Sequence, residues 1–205
     1  MDKLDYKKEY KDLYIPKNIP SIVNVPNIGF VLVDGKGKPG SYEFQNAISL
    51  LYSITFSIKM SKMNNTQPEG YFEYVVPPLE ATWYTTGNDF DFFDNKNWKW
   101  TMMIRQPEFV DEKIFEKYKL ILEKKKAELD INKLRFEYLY EGLCMQIMHI
   151  GTYDSEYISI DKLNNNIQKE GYIISGKHHE IYLSDPRKTK PENLKTVIRY
   201  PIIKK

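Results

Sequence analysis

Apolar positions along the chain follow two rhythms. In SYEFQNAISLLYSITFSIKMSK, Phe44, Ala47, Ile48, Leu51, Ile54 and Ile58 recur at threes and fours, the spacing of one helix face. Ser41 is placed to cap that helix, and Glu43 suits its first turn. The highly charged segment 111–130 carries a second stripe of Ile114, Phe115, Tyr118, Ile121 and Leu122. A third helix, after GTYDSE, carries Ile160, Leu163 and Ile167. The β-rich runs are IGFVLVDGKG, GYFEYVVPPLEATWYT (two strands broken at Pro77-Pro78), WKWTMMIRQ, LCMQIMHI, HHEIYLS and KTVIRYPII, with NDFDFFDNKN as a loop.

This order reads as β-α-β-β twice. It predicts an α+β fold of two pseudo-symmetric βαββ units, about 28–106 and 135–205, joined by the charged helix 111–130, with antiparallel sheet and a ligand cleft between the units. The Gly turn and acidic helix start recur in both halves, GKPGSYE against GTYDSE. Residues 1–27, polar and broken by Pro16, Pro20 and Pro26, read as an extended arm on the domain 28–205.

A chain of 205 residues with 41% hydrophobic and 14% aromatic residues has ample material for a core. Thirty Lys and Arg against 28 Asp and Glu leave a net charge of +2, too little to recruit nucleic acid or an anionic membrane by field alone. The single cysteine, Cys144, lies in an apolar run and reads as a packed thiol in a reducing compartment, which points to the cytoplasm. The N-terminus has no apolar signal core, and no stretch approaches the roughly 18 apolar residues of a membrane span.

Several motifs reduce to structural readings. GKGKPG lacks phosphate-loop spacing, and its Pro removes a donor. His178 and His179 point to opposite faces of a strand, so no metal site is expected, and no cofactor. The lysines of KYKLILEKKKAELD are interspersed with glutamates, as on a solvated helix face.

HHEIYL is different. On a strand, His178, Glu180 and Tyr182 share one face and His179, Ile181 and Leu183 the other. If the helix-covered core takes Ile181 and Leu183, Glu180 and Tyr182 look into the opposite face or groove. Trp83, Trp100, Tyr153 and Tyr200 lie on strands or at their ends and would supply ring walls around the lone acid. That combination selects a flat, apolar, often cationic ligand.

EGLCMQIMHIGTYDSE, KHHEIYLSDPRKTKPENLKT, VPPLEATWY and WKWTMMIRQPEFV resemble the GyrI-like small-molecule-binding domains in their stand-alone form, in colinear order from about Ile28 to Pro201. The resemblance implies two βαββ units about a pseudo-twofold, a ligand cleft between them, and Glu180 at the cleft floor. The same domain type forms the effector-binding module of multidrug-sensing MerR-like and AraC-like regulators. Some stand-alone relatives are similar to cyclopropanoid cyclopropyl hydrolases, in which the equivalent carboxylate helps water open a strained ring. Where the family has LEGLWW, this chain has Leu79–Tyr84, with Tyr84 in place of one Trp. A first strand near residue 28 leaves no room for a helix-turn-helix reader, so direct DNA binding is not expected.

Two functions follow. In the first, Glu180 stays ionised and offsets a flat, hydrophobic, cationic xenobiotic stacked on Trp83, Trp100, Tyr153, Tyr182 and Tyr200, for sensing or sequestration. In the empty site Glu180 should turn toward tyrosine hydroxyls or an adjacent His. In the second, Glu180 deprotonates water for attack on a cyclopropane, and Tyr182 or Tyr153 positions that water. The first calls for a lowered Glu180 pKa and the second for a raised one. No feature of the sequence specifies a protein partner.

Overall fold

Strand and helix ends are set by local chemistry, and the computed structural model describes residues 3–87, 89–126 and 128–205. Two four-residue helices, α1 (Tyr6–Glu9) and α2 (Lys11–Tyr14), open the chain. They are followed by β1 (Ser21–Lys36), α3 (Tyr42–Lys59), β2 (Leu79–Tyr84), β3 (Lys99–Arg105), α4 (Glu112–Lys125), β4 (Arg135–Ile150), α5 (Glu156–Lys169), β5 (Tyr172–Ile174), β6 (His178–Tyr182) and β7 (Lys195–Lys204). Ser41 caps α3 by accepting from the Phe44 amide, and Asp111 caps α4 by accepting from the Ile114 amide.

All the strand pairings are antiparallel, in the order β4-β1-β3-β2-β6-β7, and β4 also pairs with β7, so six strands close into a barrel. Closure removes the sheet edges that would otherwise lie open, while β5 adds to the far end of β7. Three apolar clusters result. The barrel interior holds Val25, Phe30, Leu32, Met103, Cys144, Ile181 and Val197 together with Tyr6, Leu13 and Tyr14. Outside, α3 and α4 pack on Val31, Val33, Ala81, Trp83, Trp100 and Met102, and α5 packs on Met145, Ile147, Ile198 and Tyr200.

The first 27 residues are not an extended arm. They carry α1 and α2, and β1 begins at Ser21 rather than near residue 28. The prolines do not stop this: Pro20 precedes the strand, and Pro26 falls where the β1–β4 ladder skips from Val25↔Gly142 to Asn27↔Tyr140, so its missing N–H breaks no pair. Residues before Pro77 form no strand of their own, and Tyr74 makes only an isolated parallel bridge to Leu4. The charged helix is shorter than 111–130, ending at Lys125.

The N-terminal segment is held by a polar cluster inside the barrel. Arg199 donates to the Leu13 carbonyl at 2.6 Å and to Gln146, which in turn donates to the Asp12 carbonyl. His179 lies 2.9 Å from Glu141 and 3.0 Å from Glu80, and Glu141 also meets Arg199. Burial opposes charge here, but the partners win: His179 is raised to about 9 by Glu141 and then Glu80, and Glu141 falls to about 2 beside His179 and Arg199. Leu13, Tyr14 and these charged groups line a cavity of about 40 Å³, room for water.

Candidate functional site

The alternation in β6 is as the sequence requires, but the faces are exchanged. Ile181 points into the barrel against Val197 and the N-terminal segment, whereas His178, Glu180 and Tyr182 lie on the outer face, the one that α3 and α5 cover. Both faces of a barrel with outer helices are apolar, so a helix-covered face need not be the one that takes Ile181. Glu180 therefore sits in the seam between the α3 and α5 clusters, opposite Ala81 of β2 and Ile198 of β7.

Glu180 is 6% exposed and fully engaged. The His178 Nε2–H donates to its Oε1 at 2.8 Å, and the Tyr182 hydroxyl donates to its Oε2 at 2.7 Å. Trp83 Nε1–H donates to the Tyr182 oxygen at 3.0 Å, and the Tyr200 hydroxyl pairs with His178 Nδ1 at 2.8 Å. This is the turn toward a tyrosine and a neighbouring His expected of a buried acid. Burial pulls the Glu180 carboxyl upward, yet hydrogen bonds from His178 and Tyr182 outweigh it and hold the group below the usual carboxylate range. The same surroundings raise the Tyr182 phenol, through burial first and then the Glu180 charge.

The expected ring walls divide into four roles. Trp83 and Tyr182 touch the acid's network directly. Tyr153, 36% exposed, stands edge-on to Tyr182 with ring centroids 6.1 Å apart and forms the rim. Tyr200 is buried and serves to fix His178. Trp100 is 0% exposed, pressed between Phe44 and the backbone at Gly35, and so lies beneath the site as core rather than as a ligand wall.

Two contributions were not anticipated. The loop between β2 and β3 lays Phe90 flat on His178, with centroids 4.4 Å apart and planes at 15°, while Phe92 and Trp98 pack on Phe90. The aromatic density of DFDFF is the signal in the sequence, although the pattern there predicts only a loop. Glu156, first residue of α5, is 2% exposed and lies close to Glu180 and Thr196. Burial, then the Glu180 charge, raises it well above the usual range. Its Oε1 has no hydrogen-bond partner among the described residues. Nearby, His149 pairs with Ser159 at 2.9 Å and the Thr152 carbonyl at 3.0 Å, and burial lowers its pKa.

The chain belongs to the GyrI-like family: the GyrI-like small molecule binding domain matches residues 19–203. Among solved structures it is similar to a conserved protein of Listeria innocua (43% identity, TM-score 0.92) and to a hydrolase of Listeria innocua (41%, TM-score 0.91). Each comparison covers 98% of this chain and 100% of the other. The C-terminal domain of EcmrR shares the fold at 13% identity and a TM-score of 0.58, covering 91% of this chain and 98% of that one. A search of curated proteins found no match. Among the described residues no helix is long and apolar enough to cross a membrane.

Proposed function

We propose that this chain binds a flat, hydrophobic small molecule over Glu180 and hydrolyses it, with Glu180 orienting and deprotonating the attacking water. The observation that carries this is a buried carboxylate kept ionised by His178 and Tyr182 within a ring of aromatic side chains. The end-to-end similarity to a Listeria innocua hydrolase favours turnover over binding alone. The lowered Glu180 pKa is the direction expected of the binding reading rather than of a general base; it leaves the carboxylate unprotonated and able to accept a proton at neutral pH, as a weaker base than a raised pKa would give. The compound we favour is a cyclopropane-bearing alkylator, its flat body on Trp83 and Tyr182 with Tyr153 at the rim. Tyr182 fixes the carboxylate and positions the water.

The seam at Glu180 adjoins two stretches of similar element order, β1–α3–β2–β3 and β4–α5–β5–β6–β7, each opening with a 16-residue strand followed by a helix on the barrel's outer surface. This supports reading the seam as the ligand cleft between pseudo-symmetric units. The direct partner in this reading is a small molecule rather than nucleic acid, and buried Cys144 suits the reducing cytoplasm.

A second reading rests on the same lowered pKa. A persistent negative charge among rings fits a flat cationic xenobiotic held without turnover, as in sensing or sequestration. Incubating wild-type protein and Glu180→Gln with a cyclopropane-bearing alkylator, and following the parent compound by mass spectrometry, separates the two. Conversion to the water adduct that falls by about 100-fold or more in the variant supports hydrolysis. Binding of flat cations that weakens in the variant, with no conversion by either protein, supports sequestration. If flat apolar compounds bind neither protein, both readings fail.

A further inference from the structure

Leu32, Glu80, Met103 and Ile181 lie on the lumen side of β1, β2, β3 and β6. Four residues along each strand, away from the end that α1 and α2 fill, the same side carries Lys36, Tyr84, Lys99 and Lys177. The ladders set these four in one row across the barrel mouth. Lys36 stands opposite Lys99, and Lys99 opposite Tyr84. Lys177, one residue beyond the pair Trp83↔His178, holds its ammonium 3.8 Å from the centre of the Tyr84 ring.

Two lysines directly opposite in a ladder repel each other and destabilise the sheet. An acid beside them would offset this, but the acids at the mouth are engaged elsewhere. Asp34 accepts from Thr101 and Arg135, and Glu137 accepts from Arg135. In the loop after β2, Asp91 accepts from the Phe93 amide and Asp94 from Asn97. Among the described residues none of the three lysines forms an ion pair. The net charge of the chain is only +2, so this uncompensated positive charge is a local feature.

We propose that this mouth is a second binding site, separate from the seam, for a small polyanion that carries a chain of phosphate groups. Adjacent strands lie about 4.8 Å apart, so the row from Lys36 to Lys177 extends over about 14 Å and suits a phosphate chain better than a single ion. Each ammonium is a compact charge with three donors for phosphate oxygens. The bound anion offsets the repulsion between Lys36 and Lys99 that the free protein carries. GKGKPG offers no phosphate loop through its backbone, yet it places Lys36 on this row. Lys177 covers the Tyr84 ring in the free protein, and its transfer to a phosphate uncovers a surface on which a planar base can stack. The shared chemistry is therefore the phosphate chain, whether free or part of a nucleotide. The seam uses the other side of the same strands, where Trp83 and His178 point outward.

The test is isothermal titration calorimetry with sodium tripolyphosphate, ATP and acetate. It compares wild type, Lys36→Ala, Lys99→Ala, Lys177→Ala, Tyr84→Ala and Glu180→Gln, with Lys124→Ala, an exposed lysine of α4, as the control. The expected result is one tripolyphosphate per chain and no acetate. Affinity falls about tenfold or more in Lys36→Ala and Lys99→Ala, while Lys124→Ala and Glu180→Gln bind as wild type does, which keeps the outcome independent of the seam reading. In the absence of ligand, Lys99→Ala should melt no lower than wild type, because it removes a repulsion. ATP that matches tripolyphosphate supports a site for the phosphate chain alone. Tighter binding of ATP, with the gain lost in Tyr84→Ala, supports a nucleotide. No binding by wild type, or an equal loss in Lys124→Ala, overturns the proposal and leaves adventitious charge only. A melting temperature lowered in Lys99→Ala overturns it too, since the row would then be structural. Tighter binding of a single-stranded oligonucleotide than of tripolyphosphate overturns the small-ligand assignment in favour of nucleic acid.

Discussion

Gly35 lies directly across the β1–β3 ladder from Trp100, and the indole fills the space in which any side chain at residue 35 would stand. Replacing that hydrogen by a methyl group must push the ring toward Phe44 and Trp83, both packed in the same cluster. Gly35→Ala is therefore expected to cost about 1–3 kcal/mol in denaturant unfolding, through overpacking. A smaller loss than Trp100→Ala, which empties a core site at about 3–5 kcal/mol, would fit the same picture. At this scale Glu180 was legible because a carboxylate interrupting an apolar strand has few ordinary explanations. Glu156 was not, since an acid at a helix start is what the helix dipole favours anyway, and nothing local marks it as buried. Trp83 and Trp100 looked alike along the chain. What separates them is Phe44 and Gly35, brought in from elsewhere.

The helices owe their ends to side-chain caps of unequal quality. Asp111 accepts from the Ile114 amide at 2.8 Å and adds a negative charge at the helix start, whereas Ser41 accepts from the Phe44 amide at 3.3 Å. Asp111→Ala should lower stability by about 1 kcal/mol, and by more than Ser41→Ala, a ranking that parallel thermal melts monitored by circular dichroism would check. Helical elements were readable because a 3.6-residue stripe survives in isolation: Phe44, Ala47, Leu51, Ile54 and Ile58 are all buried, as their spacing requires. Strand ends and faces were harder. Pro26 looked like a break until its place in the ladder showed that it forfeits nothing. Period-two alternation in β6 separated Glu180 from Ile181, yet could not say which side the helices cover, because a filled barrel with helices outside makes both sides apolar.

Across the whole molecule, the charged cluster inside the barrel ties stability to pH. Glu141 has a folded-state pKa of about 2, below its ordinary value of 4.5, so its contribution is present above the ordinary value and is lost as pH falls toward 2. His179 has a folded-state pKa of about 9, above its ordinary 6.5, so its contribution is complete below pH 6.5 and is lost as pH rises through 9. Melting temperature should accordingly be highest between about pH 5 and 6.5 and fall on either side. His179→Gln should lower the maximum and flatten the alkaline fall, and an alkaline limb unchanged in that variant would refute the assignment. None of this could be seen in the sequence, where Glu80, Glu141, His179 and Arg199 lie on four strands and the N-terminal segment that they hold read as an outlying arm.

Strand β6 thus serves two masters in alternate letters: His178, Glu180 and Tyr182 for the outer seam, His179 and Ile181 for the lumen. Adding or deleting one residue in the short turn at 175–177 would transpose the two alphabets, sending Glu180 inward and His179 outward in a single stroke. The frame of those five residues is consequently held from both directions at once, by what the outside must do and by what the inside must contain.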